Sequence, residues 1–168
     1  MKLTVKELTT FAMLGAIMYV SKMVMEVVPN VHLLGVFIVA YTVVYRKKAL
    51  YPIYTFVLIT GIYSGFALLW IPYLYIWTVL WAVVMLLPKN MPKKVQAIVY
   101  MAVCGLHGLS YGILYAPSQA LLFGLDFNGM IAWIIAGLPW DLIHGVSNFI
   151  CGLLIVPIIS ALRKIKNY

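Results

Sequence analysis

The polar residues of this chain fall into spaced sets on otherwise apolar runs. Lys22 and Glu26 stand four positions apart on the first run, and Asp141, His144 and Asn148 stand at i, i+3 and i+7 on the last, spacings that put each set on one helical face. Asn30 and His32 follow the first run, and Ser118 and Gln119 follow the fifth. Trp70, Tyr73, Tyr75 and Trp77 form one aromatic group, and Tyr111, Tyr115, Trp133 and Trp140 another. Ionisable side chains in an apolar helix are costly and face a cavity or a partner. Convergent polar groups between aromatic walls suit a small organic ligand with a flat ring. Other roles fit the same residues. Asp141 and His144 could act as acid and base in a small intramembrane enzyme, and Asp141 could cap a helix that starts near Pro139. Lys22 and Glu26 could form a structural ion pair, and the Trp and Tyr residues could anchor helix ends.

The elements that must position these groups follow from composition. The chain has 168 residues, 65% apolar and 10% charged, with a mean hydropathy of +1.03, against about 45–50% and about 25% in ordinary globular domains. That excludes a water-soluble enzyme or binding domain. Apolar runs near 8–28, 31–45, 49–70, 72–88, 95–116 and 139–162 are separated by Pro29-Asn30, Arg46-Lys47-Lys48, Ile71-Pro72, Pro88 to Lys94, and a long stretch from Pro117 to Pro139. The expected fold is an all-α integral membrane protein of six transmembrane helices, one domain over residues 1–168, since a span takes about 20 residues.

Charge sets the expected orientation. Twelve Lys and Arg stand against four Asp and Glu, a formal +8. In a soluble protein this would suggest nucleic acid; here it asks where the cations lie. With a cytoplasmic N-terminus and six spans, Lys2, Lys6, Arg46, Lys47, Lys48, Lys89, Lys93, Lys94, Arg163, Lys164 and Lys166 all fall inside, and of the 12 cations only Lys22 falls outside. An odd number of spans would put the basic C-terminus outside, against the positive-inside rule. Both termini are therefore expected in the cytoplasm, with Glu26, Asp126 and Asp141 toward the outer side.

A last helix running unbroken from Gly129 to Leu162 would be about 51 Å long at 1.5 Å per residue, so Gly137-Leu138-Pro139 is expected to break it. Residues 117–138 then form an outer loop with a short interfacial element, Met130–Ala136, and Asp126 in the turn before it. His107, in mid-run, reads as a packed, hydrogen-bonded residue, and Cys104 and Cys151 as small packing residues. No ligand spacing supports a metal site, and no nucleotide-binding or hydrolase signature is present, so no cofactor is expected and any energy for transport comes from partners. Ala12 and Ala16, with Gly15 beside them, form a small-xxx-small face of the kind that lets helices approach closely in lipid.

The order of Ala12-Met13-Leu14-Gly15-Ala16, Pro29-Asn30-Val31-His32-Leu33 and Gly137-Leu138-Pro139-Trp140-Asp141-Leu142-Ile143-His144-Gly145-Val146-Ser147-Asn148, with the size and topology, resembles the substrate-binding S component of an energy-coupling factor (ECF) vitamin transporter. The resemblance spans essentially the whole chain. It implies a bacterial plasma-membrane protein without catalysis of its own that binds a vitamin-like ring compound in an outer pocket. It also implies partners: a transmembrane coupling subunit met through Ala12 and Ala16, and two cytoplasmic ATPases. Nickel and cobalt members of the family begin Met-His, whereas this chain begins Met1-Lys2, so a metal substrate is not implied.

Overall fold

A computed structural model describes residues 3–167. Lys2, expected on the basic rim, lies outside them. The described residues are helical throughout their regular structure, with no strand: α1 (Val5–Met25), α2 (Leu34–Tyr45), α3 (Leu50–Ser64), α4 (Tyr73–Leu86), α5 (Lys93–Leu109), α6 (Tyr111–Phe123), α7 (Phe127–Cys151) and α8 (Ile155–Asn167). Four stretches are long and apolar enough to cross a membrane: Val5–Met25, Leu68–Leu86, Lys93–Phe123 and Phe127–Lys166. The expected spans 31–45 and 49–70 shorten to α2, with 12 residues, and α3, with 15, or about 18 and 22 Å at 1.5 Å per residue.

Local chemistry explains the boundaries. Thr4 and Glu7 form a reciprocal capping box that starts α1, and Pro29-Asn30 follows its end. Asn30 takes φ +59°, a left-handed conformation that Asn tolerates better than most residues. The inner face of α1, Phe11, Leu14, Gly15 and Met18, is buried, and α1 packs chiefly on α3. A Cβ on Gly15 would stand 2.6 Å from the Thr55 side chain, so the glycine sets how near these two helices come. The short α2 is the core of the bundle. It is buried on every face, from Leu34 to Val44, and touches α1, α4, α5, α7 and α8. An all-round apolar helix is what such a central position requires.

The stretch 117–138 differs from expectation. Pro117 lies inside α6, which ends at Gly124 with φ +68°, and Asp126 caps α7 by accepting the Gly129 amide at 2.7 Å. The expected outer loop is thus a helical hairpin turned by Gly124, Leu125 and Asp126. Nor does Gly137-Leu138-Pro139 end a helix, because Pro139 lies within α7. A proline inside a helix costs about 3 kcal/mol, and the packing of α7 along α5 and α6 offsets it. From Phe127 to Lys166 the chain is helical for 40 residues apart from a tight turn at Gly152–Leu154, about 60 Å end to end if straight.

Candidate functional site

A seam of glycines brings α5, α6 and α7 together. Gly105 and Gly108 of α5 and Gly112 of α6 face α7, where Gly145 answers them. A Cβ on Gly108 would lie 2.8 Å from the His144 carbonyl, and one on Gly145 would lie 2.3 Å from Leu109.

The chain bends at Ser110, between α5 and α6, and Asp141 holds the bend. In an unbroken helix the Gly112 amide would donate to the carbonyl four residues back. It donates instead to both carboxylate oxygens of Asp141, each at 3.1 Å. Asp141 therefore caps a helix, as one reading of the sequence expected, but the helix is α6 rather than its own. A carboxylate at an amide-rich helix start is also favoured by the helix dipole. No hydrogen bond joins Asp141 to His144 among the described residues.

Beneath this cap lies a buried cluster of rings from five elements. His144 of α7 meets His32, from the α1–α2 connection, at 4.6 Å between centroids, and meets Tyr111 of α6 at 4.9 Å. Trp77 of α4 is the hub: His32 at 6.2 Å, His107 at 5.9 Å, Tyr111 at 6.0 Å and Tyr73 at 5.4 Å surround it. Asn148 lies one turn beyond His144, between Gly35 and Gly108. The hydrogen bonding here is incomplete. His32 Nδ1, Trp77 Nε1, His107 Nδ1, His144 Nε2 and both amide atoms of Asn148 are buried without a partner. Buried polar groups are normally satisfied, and each exception costs about 1–3 kcal/mol. The cluster thus gathers unused donors, Trp77 Nε1 and Asn148 Nδ2, beside an unused acceptor, Asn148 Oδ1, and three imidazole nitrogens.

The sequence-derived site residues divide accordingly. His32, Tyr73, Trp77, Tyr111, His144 and Asn148 belong to the cluster, and Asp141 adjoins it. Tyr115 extends it, stacked on Trp133 at 5.9 Å with its hydroxyl donating to the Leu69 carbonyl. Lys22 and Glu26 pair with each other at 2.8 Å, and Gln119 is half-buried on α6. Asn30 acts through its backbone, its carbonyl accepting the Ser147 hydroxyl at 3.1 Å. Trp70 is committed to the Val57 carbonyl and packs on Phe66. Trp140 stands outside the cluster, 56% exposed. Ala12 and Ala16 lie on the exposed face of α1, away from the α1–α3 contact.

One member was not expected to join. His107 is packed and bonded to the Ile76 carbonyl at 3.1 Å, as a structural histidine would be, yet its ring lies 5.9 Å from Trp77 and its Nδ1 is buried without a partner. The signal that could have found it is Gly105-x-x-Gly108-x-x-x-Gly112, a small-residue face with His107 and Tyr111 beside it. Among the described residues no three His, Cys, Asp or Glu side chains gather as a metal site would need, and Cys104 and Cys151 are free thiols.

Fold and site together define an all-helical protein with membrane-length apolar helices and a buried imidazole–aromatic cluster. Comparison with family models, with curated proteins and with solved structures finds no match for the chain.

Proposed function

We propose that this chain is a membrane-embedded binding subunit for a small, flat, hydrogen-bonding ring compound, and that it serves an ATP-driven importer of the ECF kind. The observation that carries the reading is the set of unpartnered donors and acceptors around Trp77, His144 and Asn148. A heteroaromatic ligand would slot between those rings and satisfy the nitrogens that water cannot reach. The resemblance of the sequence to ECF S components supplies the class, with the coupling subunit and two ATPases as partners. In this reading α1, α2, α3, α4, α5 with α6, and α7 with α8 make six spans, with both termini in the cytoplasm. Lys6, Lys48, Lys89 and Lys166 gather at one end of the bundle, the end the positive-inside rule assigns to the cytoplasm. The hairpin of α6 and α7 lies at the outer interface.

Entry requires an opening, and the α1–α2 connection is the part that can move. Its His32 ring covers His144, and its Asn30 carbonyl accepts the Ser147 hydroxyl. The test is direct. Full-length protein purified in neutral detergent from cells grown in rich medium is denatured, and the released small molecules are identified by mass spectrometry. Near-stoichiometric recovery of one ring compound that also raises the thermal midpoint of the emptied protein is expected. An empty protein that no vitamin or nucleobase-like compound stabilises would sink the proposal.

A further inference from the structure

A basic cavity lies at the opposite end from the ring cluster and has a different chemistry. It measures about 840 Å³ and opens among the start of α1, the α2–α3 connection, the end of α4 and the end of α8. Lys6, Arg46, Lys47, Lys48, Lys89 and Lys166 line it, against the single carboxylate of Glu7. Their roles differ. Lys48 pairs with Glu7. Arg46 donates to the Met85 carbonyl at 2.9 Å and Lys166 to the Val44 carbonyl at 3.0 Å, so each satisfies the C-terminal end of a helix. Lys6, Lys47 and Lys89 form no ion pair among the described residues.

Other observations point to an occupant. Tyr45 lines the cavity, and its hydroxyl is buried behind the wall without a hydrogen-bond partner. Arg46 takes φ +54° and ψ −122°, a strained conformation for a residue with a side chain, of the kind that concentrates at ligand sites. Its carbonyl is held by the Trp81 indole at 3.1 Å, so the strained turn is pinned in place. Phe11, Met85 and Ile165 give the same cavity an apolar wall. Unneutralised cations and an adjoining apolar surface are what a phosphate group on an organic carrier needs.

We propose that this cavity is a phosphate-binding site, held by Lys6, Lys47 and Lys89, for a phosphate borne by a lipid headgroup or free in solution. The site stands apart from the ring cluster and does not depend on the transport reading. Basic cavities between helices are suited to anionic headgroups, and an occupant here would bridge α1, α4 and the α2–α3 connection.

The experiment uses the full chain in neutral detergent and follows its thermal midpoint against added phosphatidylglycerol in one arm and pyrophosphate in the other. Phosphatidylcholine and chloride at matched ionic strength serve as blanks. A saturable upward shift is expected in at least one arm. A shift with phosphatidylglycerol alone assigns the site to a lipid, and a shift with pyrophosphate assigns it to free phosphates. The triple variant Lys6→Gln, Lys47→Gln, Lys89→Gln alters exposed residues and should keep the unliganded midpoint while weakening the saturating response on the order of 100-fold. The control triple Lys93→Gln, Lys94→Gln, Lys164→Gln removes equal charge outside the cavity and should keep the response. No shift in either arm, or equal weakening in both triples, would overturn the site.

Discussion

The imidazoles of His32 and His144 meet edge to face, their centroids 4.6 Å apart and their planes at 77°. One ring comes from the connection before α2, the other from the middle of α7. Each carries a buried nitrogen without a partner, Nδ1 of His32 and Nε2 of His144. The contact therefore closes the cluster without satisfying its nitrogens.

His144→Phe preserves a ring against His32 and Tyr111 while removing both nitrogens. Near-isosteric core changes cost under about 1.5 kcal/mol, so the variant should fold with a nearly unchanged thermal midpoint. Ligand retained through purification, measured per mole of protein by mass spectrometry, should fall by about tenfold or more, the effect of losing one buried hydrogen bond. Undiminished retention would remove His144 from the site.

Two glycines separate packing from propensity. Gly112→Ala would drive a Cβ to 2.2 Å from Asp141 Oδ2, displacing the carboxylate from the amide it caps. A loss of about 1–3 kcal/mol is expected. Gly137→Ala, on α7 with nothing within 4 Å of its Cβ, should instead stabilise by about 0.5–1 kcal/mol, because alanine favours a helix interior. Thermal unfolding in detergent reads both signs. Similar midpoints for the two variants would contradict the close approach at Gly112.

Much of the architecture was legible because the punctuation is chemical. Pro29-Asn30, Arg46 to Lys48, Ile71-Pro72 and Pro88 to Lys94 sit between apolar runs, and α2 to α5 begin within a few residues of where those breaks place them. Pro139 misled because a proline's local cost is fixed, whereas the tertiary packing that outweighs it along α7 is invisible in the local pattern. The burial of α2 was equally unreadable, since an all-apolar helix suits lipid and core alike.

The site was legible in its residue types and less so in its geometry. Helical phase joined Asp141, His144 and Asn148 on one face, and all are buried. The same phase puts Trp140 about a quarter turn from the centre of that face, and its side chain points outward. That Asp141 would cap α6 could not be read from its own neighbours, because its partner Gly112 lies 29 residues earlier. His107 belongs to the cluster through a glycine seam that defines its face only when α5 and α7 are seen packed together.

Asn148 exposes the conflict between stability and binding most cleanly. Both of its amide atoms are buried and unpaired, so Asn148→Leu, similar in volume, removes two unsatisfied groups. The emptied variant should be at least as stable as the parent, by up to about 1–3 kcal/mol, and should lose the midpoint shift that the recovered ligand gives the parent. An emptied variant clearly less stable than the parent would mean that the amide is satisfied inside the protein.

The exposed face of α1 makes the last prediction. Phe11, Leu14, Gly15 and Met18 turn inward, while Ala12 and Ala16 lie on the outer surface beside Met13 and Ile17. Ala12→Phe and Ala16→Phe therefore alter exposed positions, and surface changes of this kind usually shift stability by less than about 0.5 kcal/mol. Close helix contact in lipid depends on small residues, so a coupling subunit docked on this face would be pushed away. Co-purification with a tagged coupling subunit should fall while ligand retention stays at the parental level. Loss of both together would show that the alanines serve folding, and loss of neither would move the partner to another face.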